Sequence, residues 1–335
     1  MKKVFRSRKI LVIVLALVIL AAGCGKKTVV EEVYETESAN TEETIADEAI
    51  APEKQVAIPK ENEFLTEYPY TYKDKFGNEV TIEKRPETIV SFAPEITETI
   101  YALGVGDKLV GRSTYCDYPP EVSEVQDMGT LFEFSIEAVV ELNPDLVFLS
   151  SMVSEDVYQQ LVNSGLKVAA FDYDADLGGT QTQIETIGTI IDRNDQATVI
   201  NYNIQKAIDS LSAKAKDREA KSVYFAVSVG EYTSAATGDT FINDIIEATG
   251  ATNAAADGTS WMYTVEQLVE NDPDYILCSN KWDTKAKIKS LEGYKDLTAV
   301  KEGRLYAVDE NVFFRQGPRV VEALYAVEAV VFSAD

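Results

Sequence analysis

The chain of 335 residues contains no histidine. That single absence removes Ser-His-Asp and Cys-His nucleophilic catalysis, HExxH metalloproteases and His-based zinc sites. No GxGxxG or P-loop pattern is present either, so no recognisable phosphate cradle is encoded. Cysteine is scarce: Cys24 lies near the N-terminus, and Cys116 and Cys278 fall one in each half, open either to a bridge between the halves or to two isolated buried thiols. Positive charge is also short, with 31 Lys+Arg against 56 Asp+Glu and a formal net charge of −25, which excludes nucleic acid as a partner. Carboxylates are plentiful enough to leave a carboxylate-pair hydrolase open, but abundance singles out no pair. No catalytic residue, metal ligand or cofactor is assigned.

What is present begins with a basic start, Lys2, Lys3, Arg6, Arg8 and Lys9, then a continuous apolar run from Ile10 to Ala22 and Gly23-Cys24. A run of 13 residues is short for a bilayer span, so an export signal is expected over residues 1–23, an uncleaved anchor being the alternative. The small residues before the cysteine resemble the lipobox of bacterial lipoprotein signals, with Ala21 where leucine is usual. The resemblance implies acylation of Cys24 and a domain tethered to the extracytoplasmic face of the cell membrane. Without the five basic residues of that segment the remainder carries 26 Lys+Arg against 56 Asp+Glu, a charge of −30. Residues 24–65 are rich in Glu, Thr and Ala and poor in aromatics, so a disordered acidic linker is expected there.

The folded remainder, about 270 residues, is long enough for two lobes. Its clearest internal signal is a repeat: IEAVVELNPDLVFLSS at 136–151 returns as VEQLVENDPDYILCSN at 265–280. Glu137, Val140, Glu141, Pro144, Asp145 and Ser150 are matched by Glu266, Val269, Glu270, Pro273, Asp274 and Ser279. Each copy reads as capped helix, Pro-Asp turn and short apolar strand. Around the copies the pattern predicts a hairpin over 70–82, strands at 88–92, 108–113, 167–171, 222–227 and 304–308, and helices at 94–102, 156–164, 240–248, 284–291 and 318–332. The expected fold class is α/β, two Rossmann-like lobes with mostly parallel sheets. They are joined by one long α-helix over 182–216, where apolar positions recur from Ile184 to Leu211. The lobes are then 66–181 and 217–335.

The stretches SFAPEITETIYALGVGDKLVG (91–111), STYCDYPPEV (113–122), SIEAVVELNPDLV (135–147) and FFRQGPRVVEAL (313–324) carry a resemblance. The chain resembles the bacterial ABC-transporter substrate-binding lipoproteins for vitamin B12, ferric siderophores and haem, a long-helix-linked class of periplasmic binding proteins. The resemblance implies a monomeric, non-enzymatic binder that carries a metal chelate between its lobes to a permease dimer. It also implies that Glu137 and Glu266 dock on permease arginines, although an acid at that position stabilises a helix dipole without any partner. Ligand contacts are expected at the carboxyl ends of strands: Tyr115, in the position of an aromatic lining the corrin site of the B12 binders, Asp117, Phe132 and Met152 in the first half, and Tyr232, Trp261, Trp282, Phe314 and Arg315 in the second. Lobe-core packing is the alternative for each. Two tryptophans of the B12 binders correspond to Leu131 and Ser150, which leaves corrinoid and ferric siderophore both open. Haem ligated by Tyr or Met, or a surface adhesin or sensor on the same scaffold, also remains open.

Overall fold

The structure is a computed structural model and describes residues 55–173, 176–231 and 233–332. The export segment, Cys24 and Tyr232 lie outside the described residues, as does the linker up to residue 54.

A hairpin of β1 (Tyr70–Lys73) and β2 (Glu79–Ile82) leads into the first lobe. The Asp74 carboxylate organises its turn by accepting the amide hydrogens of Phe76 and Asn78. The lobe then alternates β3 (Ile89–Ser91), α1 (Pro94–Ala102), β4 (Leu109–Arg112), β5 (Gln126–Asp127), α2 (Ile136–Leu142), β6 (Leu146–Leu149), α3 (Glu155–Asn163) and β7 (Val168–Ala170). Its five strands form a parallel sheet ordered β5-β4-β3-β6-β7. β3, β6 and β7 are buried along their whole length, as parallel strands covered by helices on both faces must be.

The connection between the lobes differs from the expected single helix over 182–216. It is two helices, α4 (Leu177–Ile190) and α5 (Asn194–Ala215), separated at Asp192, whose backbone is left-handed (φ 58). The helices fold back on each other. Gln181 and Asn201 exchange side-chain-to-carbonyl hydrogen bonds of 3.2 and 2.8 Å, and Gly188 lies against Ala197. The apolar period runs through the turn because both helices bury the same stripe, so spacing alone does not reveal the reversal. The linker boundary at residue 65 is also corrected. Asn203 bonds both backbone groups of Val56, Gln196 donates to the Pro59 carbonyl, and Asn62 and Thr66 bond Asp192, so residues 56–66 form a strap on the hairpin.

The second lobe contains β8 (Ser222–Ser228), β9 (Ser234–Ala235), α6 (Phe241–Ala248), β10 (Thr252–Asn253), α7 (Val265–Asn271), β11 (Tyr275–Ser279), α8 (Thr284–Ser290), α9 (Thr298–Lys301), β12 (Leu305–Val308), α10 (Glu310–Phe314) and α11 (Val320–Phe332). Its parallel sheet runs β10-β8-β11-β12, with β9 antiparallel on β8. The order matches β4-β3-β6-β7 of the first lobe strand for strand, so the sequence repeat is a repeat of topology.

Each repeat copy performs the same local work. Ser135 caps α2 and Thr264 caps α7, and both helices end on a left-handed residue, Asn143 (φ 45) and Asp272 (φ 35). The conserved-in-both-copies Asp145 and Asp274 then accept hydrogen bonds from Thr88 and Ser222, pinning the central strands β3 and β8 at their starts. One apolar core is continuous from Ile89 and Phe148 through α1, α4, α5 and α6 to Phe225 and Val327, so the lobes share it. Separate cores cover the outer faces, around Val147 and Leu161 in the first lobe and Ile276 and Tyr294 in the second. Cys116 and Cys278 are buried free thiols in different cores.

Candidate ligand cleft and docking helices

Where the carboxyl ends of β3, β4, β6 and β7 face the loop between α10 and α11, the lobes enclose a cleft of about 480 Å³. Topology places it there: β3 and β6 leave the sheet centre in opposite directions, which opens a crevice beyond their ends. Its walls include Phe92 after β3, Tyr115 after β4, Leu131 and Phe132, Met152 after β6, Tyr173 after β7, and Phe314. The Ser150 hydroxyl accepts the Met152 amide hydrogen at 3.3 Å, turning the chain so that Met152 stands 68% exposed at the mouth. At the floor, the Gln183 amide on α4 donates to the Gln316 carbonyl at 3.0 Å, joining the lobes.

Four of the residues expected at the ligand, Tyr115, Phe132, Met152 and Phe314, therefore line one cavity. Trp261 stands one layer behind, stacked on Phe314 at 5.7 Å between centroids and 16° between planes. Trp282 does not line the cleft; it is 72% exposed on the turn after β11. Arg315 and Asp117 are committed to each other at 2.6 Å. Arg315 also bonds Glu98 of α1 at 2.7 Å and the Tyr115 carbonyl at 3.1 Å, so it latches the lobes beside the cleft instead of pointing an open cation into it. Arg319 extends the latch toward Glu98, Asp309 and Glu322 and stacks over the Tyr118 ring at 4.1 Å. Burial opposes the Arg315 charge, but the bonds to Asp117 and Glu98 outweigh it and raise its pKa.

Sequence reasoning missed Glu95, Asp172, Tyr173, Gln183 and Gln316, all of which line the cleft. Asp172 and Tyr173 follow β7, and the strand-end rule that found Met152 would have found them. Gln183 lay hidden in the connector. Glu95 read as an ordinary first-turn acid, yet burial pushes its carboxyl from 4.5 up to about 7, against the opposing pull of its own backbone amide hydrogen bond and of Arg315, with Glu98 adding a little to the rise.

On the outer surface, Glu137 and Glu266 occupy the second position of the two capped repeat helices, and both are exposed. The Ser135 hydroxyl donates to the Glu137 carboxylate at 2.9 Å. Backbone amide hydrogen bonding at the helix start, with that hydroxyl, holds the Glu137 pKa below the usual carboxylate range.

Comparison with known proteins places this architecture. A family profile described as periplasmic binding protein matches residues 89–312. The chain belongs to the periplasmic binding protein family. An uncharacterized ABC transporter substrate-binding lipoprotein of Bacillus subtilis, YvrC, is 35% identical over 264 residues, covering 77% of this chain and 83% of its own. A cobalamin-binding protein of Halobacterium salinarum is 28% identical over 270 residues, covering 77% and 72%. Among solved structures, a possible iron-binding (periplasmic solute-binding) protein from Staphylococcus epidermidis is 26% identical with a TM-score of 0.67, covering 74% of this chain and all of that one. As a member of the family this periplasmic binding protein is the substrate-binding component of an ABC transporter.

Proposed function

We propose that the cleft captures a metal chelate, a corrinoid first and a ferric siderophore second, and that the protein delivers it to an ABC permease while held at the membrane through Cys24. The supporting observation is the character of the walls. Aromatic and apolar side chains offer flat contact area at low entropy cost, while Gln183, Gln316, Tyr115, Tyr173 and Ser150 supply neutral hydrogen-bonding groups. Among the described residues no lysine or arginine lines the cleft, and its ionisable groups are acids and tyrosines. Anionic ligands such as haem, with two carboxylates, or a ferric tricatecholate would meet uncompensated negative charge there. A corrin ring fringed with amides, or an uncharged ferric hydroxamate, would not. The name of the Halobacterium relative points the same way. Haem is the second reading, favoured only by exposed Tyr115 and Met152 at the mouth, whose side chains are able to serve as axial ligands.

Trp261 emission reports occupancy because its ring stacks on cleft-lining Phe314. Titration with cyanocobalamin, cobinamide, haem, a neutral ferric hydroxamate and a ferric catecholate should give saturable quenching by a corrinoid or the hydroxamate and little by haem. Saturation by haem alone would overturn the assignment.

A further inference from the structure

Glu95 lines the cleft, and with Asp172 it is one of two carboxyl groups among the described lining residues to which the chelate reading gives no role. It sits in the first turn of α1, behind Pro94, at the end of central strand β3. The neighbouring cations are already engaged. Arg315 bonds Glu98 and Asp117, and Arg319 faces Glu98, Asp309 and Glu322. Two guanidinium groups thus serve four other carboxylates, and Glu95 has no ion pair among the described residues. From the remaining elements it is faced by Tyr115 and Cys116 on the loop after β4, and by Asp172 and Tyr173 after β7, which bring no positive charge.

We propose that Glu95 is a specificity-determining residue of the cleft: in its protonated form it donates a hydrogen bond to an uncharged acceptor oxygen of the chelate, an amide carbonyl or hydroxamate oxygen. This rests on the chelate reading above. An acid without a counter-ion in an apolar, acid-rich cleft is stable there as a neutral donor, and burial raises it to about 7, so near neutrality both forms are populated. Ionised, it presents only acceptors to an acceptor oxygen and repels carboxylate-bearing ligands. Capture therefore tightens as the medium becomes acidic. The chain has no histidine, so no imidazole titrates across the same range.

The test is Trp261 quenching by cyanocobalamin and by a neutral ferric hydroxamate from about pH 6 to about pH 8, in wild type, Glu95→Gln and Glu95→Leu. At about pH 8 only about a tenth of wild-type molecules carry the proton, so affinity should fall about tenfold across the range. Glu95→Gln, a permanent neutral donor, should stay near the acid-side affinity with a flat profile, and Glu95→Leu should be weak throughout. A flat wild-type profile, or an unchanged slope in Glu95→Gln, overturns the proposal. The ligand-free proteins give an independent reading in urea. A carboxyl whose folded pKa lies above its unfolded value contributes stability at low pH that is lost as pH rises through the folded value, here between 4.5 and about 7. Wild type should lose stability relative to Glu95→Gln over that interval, and parallel curves overturn the proposal by themselves. If no chelate quenches any variant at any pH, the chelate reading falls and takes this proposal with it; binding with an unaltered profile removes this proposal alone.

Discussion

Arg315 has the chemistry of an anion-binding residue and the surroundings of a structural one. Its side chain is 11% exposed and that of its partner Glu98 only 2%. Replacing it by alanine leaves Glu98 buried without its bonded counter-charge, which typically costs about 3 kcal/mol or more. Urea unfolding of Arg315→Ala should show a loss of that size, mostly relieved when Glu98→Gln is added; a loss below about 1 kcal/mol would mean the latch is a solvated surface pair. The same residue shows where sequence reading ends. Tyr115, Phe132, Met152 and Phe314 were legible because an aromatic or long apolar side chain after a strand end has a known address. The partners of Arg315 were not, because Asp117 and Glu98 are 198 and 217 positions away and meet it only once the lobes are docked.

At the scale of elements, local grammar carried the main strands and helices, missed the short elements β5, β9, β10, α9 and α10, and failed at the turn between α4 and α5. Caps, Pro-Asp stops and the repeat located α1, α2, α7 and the central strands, since each signal is satisfied within a few residues. The α4–α5 reversal is different in kind. Asp192 adopts a left-handed backbone and accepts hydrogen bonds from Asn62 and Thr66 of the strap, so the turn is held by residues far away in the chain. Gly188 distinguishes hairpin from continuous helix. In an uninterrupted helix, Gly→Ala would stabilise by up to about 1 kcal/mol. In the hairpin an added Cβ falls 2.6 Å from the Ala197 side chain and 3.1 Å from the Arg193 carbonyl. Gly188→Ala should instead destabilise by roughly 1–3 kcal/mol, the usual cost of overpacking. Thermal or urea unfolding gives the sign, and Ala197→Gly in the same background should recover part of the loss.

For the whole molecule the question is what the duplication serves, because the cleft is not symmetric: its walls come mainly from the first lobe, with Phe314 and Gln316 from the second. What the two copies share is an exposed acid at the second position of a capped helix, Glu137 on α2 and Glu266 on α7. The core continuous through α1, α4, α5, α6 and α11 ties the lobes together, from which we infer that the separation of these two acids changes little when the cleft fills. Two fixed, equivalent negative points suit a partner built of two equivalent halves, and we infer that they dock on basic groups of the permease. Exposed ion pairs contribute about 0.2–1 kcal/mol each, so their value lies in orientation and encounter rate more than in affinity. Charge reversal should therefore act in a graded way: Glu137→Lys or Glu266→Lys alone slows chelate uptake, and the two together abolish it. Trp261 quenching by the chelate should be unchanged in all three variants, because neither acid lines the cleft. Uptake that survives the double reversal would leave helix capping as the whole role of the pair and would favour a receptor that works without a transporter.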